Sequence, residues 1–134
     1  MISKPSVLCI TMGLVLALSG ASIGTAGAAL AVEKAVIATG MEGLVPTGKG
    51  TTFPAAIGKL YCFSKVVGAE PPTRIKHVWY YKGRRMAEIT LSIKHASHRT
   101  YSSKRIMPAW KGEWRVDILA ENGTLLRILE FTVR

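Results

Sequence analysis

The chain is poor in acid: eight aspartates and glutamates stand against eighteen lysines and arginines, a formal net charge of +10 over 134 residues. A basic excess of this size attracts polyanions and sets the partner class rather than the fold. Cysteine is scarcer still, with Cys9 inside an apolar N-terminal run and Cys62 far from it. Cys9 lies within that run rather than after it, which excludes a lipidated-cysteine leader. Catalytic signatures are missing as well. There is no Gly-x-Ser-x-Gly elbow, no phosphate-binding loop and no His-Glu-x-x-His. The acidic residues from Glu33 to Glu130 are scattered, so no two of them form the convergent pair that glycoside hydrolysis requires. These absences argue against an enzyme, a cofactor or a bound metal.

The N-terminus carries what the remainder lacks. Lys4 is the only charge before Glu33; an apolar stretch from Pro5 to Leu18 follows it, then a small-residue stretch to Ala31. A basic start, an apolar middle and an Ala-x-Ala end make a secretory signal over residues 1–28. Cleavage is expected after Ala28 or Ala31, with an uncleaved anchor as the alternative. Either way the domain lies outside the cytoplasm, secreted or periplasmic, or tethered to the inner membrane. Cleavage would remove Lys4 and no acid, leaving the basic excess nearly intact. It would also leave Cys62 alone, so the core must hold without an internal disulfide. A buried, inert thiol and a reactive one both fit its apolar segment.

After the signal, hydrophobicity alternates with period two. Strands are expected over Val32–Thr39, Lys59–Val67, Arg74–Tyr81, Arg85–Lys94, Glu113–Ala120 and Leu125–Val133, with a short polar edge strand over Arg99–Ser103. Lys82-Gly83 and Glu121-Asn122-Gly123 mark tight hairpins, because asparagine and glycine accept positive φ. Gly40 to Gly58, rich in glycine and proline, reads as a long connection without periodicity. The expected fold is therefore all-β, an immunoglobulin-like β-sandwich of about seven antiparallel strands preceded by a helical signal segment. Residues 29–58 supply the first strand and the long connection, and residues 59–134 form the core of the domain.

Several motifs appear in order in the C-terminal half: His77-Val-Trp79-Tyr-Tyr-Lys-Gly83, His98-Arg-Thr-Tyr-Ser102, Gly112-Glu-Trp-Arg-Val116, and the closing Asn122-Gly-x-Leu125 with Phe131-x-Val133. In these it resembles the bacterial family called domain of unknown function 2914. Phe53 to Phe63 looks like the N-terminal extension of such domains. The resemblance implies an exported or membrane-attached module and supplies no activity or site residues.

Residue chemistry offers a few candidates. His95-Ala-Ser-His98 has a ligand-like gap, with His77 and Cys62 as further donors, but nothing in the pattern makes them converge. A nucleophile reading needs Cys62 or a serine beside His77, with a carboxylate behind the imidazole. Trp79, Trp114 and Phe131 fall at inward positions and are expected in the core. Trp110, in the loop Met107-Pro-Ala-Trp-Lys-Gly112, either caps the end of the core or meets a ligand. Basic residues gather on the Lys82–Arg85 hairpin tip and along the edge strand, where charge also blocks aggregation.

The binding candidates are Arg99, Tyr101, Lys104, Arg105, Trp110 and Lys111, with Arg99 alternatively paired to Glu88. The expected function is a non-catalytic module of the bacterial envelope that engages an anionic glycan, a lipid headgroup or an envelope protein, with no nucleic acid. The alternative is an assembly subunit docking a partner through an edge strand.

Overall fold

The computed structural model describes residues 29–134; the signal segment, its expected helix and Cys9 lie outside them. Nine strands form: β1 Ala31–Glu42, β2 Val45–Gly50, β3 Thr52–Phe53, β4 Lys59–Val67, β5 Thr73–Tyr81, β6 Arg84–Ile93, β7 His98–Arg105, β8 Gly112–Ala120 and β9 Leu125–Val133. They make two sheets, a four-stranded one in the order β2-β1-β4-β7 and a five-stranded one in the order β3-β9-β8-β5-β6. All pairings are antiparallel except the short β3–β9 contact, which is parallel. Nine strands replace the expected seven. Every strand finds its partners within residues 31–133, and the shared core lies between the two sheets.

Two hairpins follow from turn chemistry. Lys82 (φ 48°) and Gly83 (φ 81°) both adopt positive φ, the geometry of the two-residue turn whose twist suits β5 and β6. Gly123 (φ 92°) closes β8 onto β9, and the Asn122 side-chain oxygen accepts the Thr124 amide at 3.0 Å.

The Gly40–Gly58 stretch corrects the sequence reading. It is no aperiodic connection but the end of β1, all of β2 and β3, and a 3₁₀ turn over Ala55–Ile57. Two of its glycines, Gly40 and Gly48, sit where a neighbouring threonine crowds the Cβ position, while Gly43 and Gly58 supply positive φ. A Cβ on Gly40 would lie 2.8 Å from the Thr47 hydroxyl, and one on Gly48 (φ 67°) would overlap that of Thr39. The edge strand is also longer than expected, running from His98 to Arg105.

Alternation buries one face of each sheet. Ile37, Leu60, Cys62 and Val66 meet Ile75, Trp79, Val116 and Ile118. Phe131 lies at the aromatic centre: stacked on Trp114 (5.9 Å between centroids) and edge-on to Trp79 (6.2 Å) and Phe53 (6.0 Å). Trp79, Trp114 and Phe131 are all buried. Removing a ring of this kind typically costs about 3–5 kcal/mol.

Candidate functional site

One polar group is sealed inside the sandwich. His77 on β5 is fully buried, with Nε2 2.7 Å from the Ser64 hydroxyl on β4 and Nδ1 2.6 Å from the Ser102 hydroxyl on β7. Trp79 Nε1 donates to the same Ser102 oxygen at 3.1 Å. Strand alternation brings these side chains inward from both sheets, so the network joins the sheets through their core. A neutral imidazole satisfies both serines, one ring nitrogen donating and the other accepting. Burial lowers the His77 pKa to about 4. Burial likewise pushes the Cys62 thiol up, only partly offset by its hydrogen bond to Ser64. This is the serine–histidine contact that a nucleophile reading asks for, yet His77 and Ser64 have no accessible surface and Ser102 only 5%. No carboxylate joins it, so its role is packing.

A second aromatic group, with cations over its half-buried members, lies at one end of the sandwich. There the C-terminal end of β5, the loop after β7 and the start of β8 bring Tyr81, Trp110 and Trp114 together, with centroids 4.9–6.5 Å apart. Trp110 is half-buried against the core and its carbonyl accepts the Trp114 indole N–H at 3.0 Å. The Tyr81 hydroxyl donates to the Lys111 carbonyl at 2.6 Å, fixing the loop. Cations ride on this cluster: Lys104 Nζ lies 5.1 Å from the Trp110 ring and Lys82 Nζ 5.4 Å from the Tyr81 ring.

Gly112 (φ 122°) makes room for the Lys82 stem, since a Cβ there would meet Lys82 Cε at 2.8 Å. Register places Arg105 beside Lys59 at the same end. The described ion pairs engage Lys65, Arg74, Lys76, Arg85 and Arg115; Lys59, Lys82, Arg84, Lys104, Arg105 and Lys111 toward this end have no described carboxylate partner, and neither do Lys34, Lys49, Lys94, Arg99, Arg127 and Arg134.

The expected binding residues therefore divide. Lys104 lies over Trp110, with Lys111 next in the loop, while Arg105 ends β7 at the same end but alternates onto the outer face of the four-stranded sheet, with Tyr101 and Arg99 farther along it. Arg99 is six residues from Arg105, roughly 20 Å along a strand. Tyr101 packs edge-on to Tyr61 at 5.8 Å, and Arg99 lies opposite Lys65. Arg99 does not pair with Glu88, which sits on the other sheet and binds Lys76 and Arg85. The sequence reading kept the Lys82 hairpin and the edge-strand cations apart; the fold unites them. It missed Lys59, whose place beside Arg105 depends on strand register.

Other features offer less. His95 and His98 stack at 5.4 Å, and burial, with His95 and Lys94 nearby, lowers the His98 pKa. No group of three or more potential metal ligands forms among the described residues. A cleft of about 220 Å³ between β1, β2 and β9 is lined by apolar groups and backbone, with Lys49 and Glu130 its charged members. No described helix is long and apolar enough to cross a membrane.

The molecule is thus an almost all-β, two-sheet protein with a basic, aromatic end. Residues 72–133, which hold β5 to β9, match a family described as "Protein of unknown function (DUF2914)". The match contains the C-terminal motifs singled out in the sequence and stops short of residues 53–63, which also looked family-like. Among curated proteins no match was found.

Proposed function

We propose that this is an exported, non-catalytic interaction module of immunoglobulin-like type, and that it engages an anionic partner through the end built from Lys82, Lys104, Arg105, Trp110 and Lys111. The observation that carries this reading is a pair of ammonium groups, Lys104 over Trp110 and Lys82 over Tyr81, neither with a described carboxylate partner, on two half-buried rings that pack together. Such a surface suits acidic groups on a flat or ring-bearing ligand, because a ring face and a neighbouring ammonium act together. Glu42, Glu113 and Glu130 lie toward this end, fewer than the lysines and arginines there.

Export rests on the N-terminal signal pattern. Cleavage after Ala28 would keep Leu30, which packs against the core, whereas cleavage after Ala31 would remove it along with the first residue of β1. Ala28 is the better junction.

Retention on immobilised heparin tests the reading. Elution should require salt, and Lys104→Glu with Lys111→Glu should elute at markedly lower salt. Passage of the unaltered protein through the column at low salt would oppose it. A partner captured from envelope extract that withstands high salt would instead favour docking along the free edge of β7, which pairs with β4 alone.

A further inference from the structure

The β1–β2 hairpin reaches beyond the sheet that holds it. The last pair between β1 and β4 is Ala38 with Tyr61, whereas β1 continues to pair with β2 as far as Glu42 with Val45. Residues 39–47 thus form a two-stranded arm with no further strand beside it. Its tip is apolar: Leu44 is 47% exposed and Val45 57%, with Gly43 (φ 63°) making the turn between β1 and β2.

The arm leaves from the end of β4 that carries Lys59, which is the basic end of the molecule. Met107, 43% exposed, lies in the loop at that same end. Half of the described large exposed apolar side chains therefore lie toward the end that carries Lys59, Lys82, Lys104, Arg105 and Lys111. Isolated apolar residues on a surface are ordinary, but an apolar tip at the same end of the molecule as a group of lysines and arginines has the composition of a membrane-surface anchor.

We propose that the anionic partner is a lipid bilayer: Leu44, Val45 and Met107 enter the headgroup layer while Lys59, Lys82, Lys104, Arg105 and Lys111 meet lipid phosphates. This rests on the anionic-partner reading above and names its occupant. The chemistry is additive. Apolar burial holds the tip in place, and each cation near an anionic surface strengthens binding roughly fivefold. Glu42, beside the tip, opposes one of them. A soluble acidic polymer would use the cations and leave the tip idle, and that difference separates the two occupants.

The test uses residues 29–134, which contain both sheets and the whole described core, so the N-terminal apolar run cannot itself bind lipid. Sedimentation with phosphatidylcholine vesicles, with and without phosphatidylglycerol, should show binding only to the anionic ones. Leu44→Ser with Val45→Ser should reduce that binding roughly tenfold while leaving heparin retention and the thermal melt unchanged. As a second readout, Leu44→Trp should give blue-shifted emission on anionic vesicles. Heparin retention with no vesicle binding, or vesicle binding indifferent to the tip substitutions, would overturn the bilayer proposal and leave the anionic-partner reading standing. Loss of both binding activities in the unaltered protein would overturn that reading too.

Discussion

His77 makes the strongest demand of any single side chain here. Its imidazole is held neutral between Ser64 and Ser102, with a pKa of about 4 against about 6.5 in an unfolded chain. Below the unfolded value the unfolded chain binds the extra proton first, so stability is full above about pH 6.5 and declines as pH falls towards 4. The loss is on the order of 3 kcal/mol, and urea unfolding at neutral and acid pH measures it. His77→Gln should remove this pH step, whatever it does to stability at neutral pH.

Ser102→Ala is expected to cost about 2–4 kcal/mol in the same assay, because it strips a partner from both His77 Nδ1 and the Trp79 indole. The inward positions of His77 and Trp79 were legible from alternation. Their hydroxyl partners were not: Ser64 and Ser102 lie on distant strands, and serine at an inward position carries no pattern until register is known.

At the scale of elements, the period-two runs located most strands well. Lys59–Val67 and Leu125–Val133 coincide with β4 and β9. The failure at Gly40–Gly58 has a physical cause. Glycine marks a loop when it supplies a turn, but it also marks a strand whose neighbour crowds the Cβ position. Gly40 and Gly48 are of the second kind, opposite Thr47 and beside Thr39, and only the pairing of β1 with β2 distinguishes them. Gly48→Val should therefore unsettle the arm alone. A left-handed backbone costs a β-branched residue about 1–2 kcal/mol, before the clash with Thr39. Hydrogen exchange should speed up across residues 39–50 while β5, β8 and β9 keep their protection.

For the molecule as a whole, the two ends of the sandwich carry different side chains. Glu70 and Glu121 lie in loops at the end opposite the arm, where Glu121 also binds Arg74. Lys59, Lys82, Lys104, Arg105 and Lys111 lie at the arm's end, while Lys34, Lys94 and Arg99, also without a described carboxylate partner, lie away from it. The sequence disclosed the excess of base and the individual candidates, but not their division between an end and a face. That division depends on which way β7 alternates and where β5 stops, and neither can be read from composition.

The central claim is that the basic end, rather than total charge, makes the contact. It is tested most directly by the salt dependence of heparin binding in two charge-matched variants, one with Lys104→Glu and Lys111→Glu, the other with Lys34→Glu and Lys94→Glu. The account predicts that the first pair flattens the dependence of affinity on salt and weakens binding at least tenfold at low salt, while the second changes both only slightly. Equal losses in the two variants would contradict it.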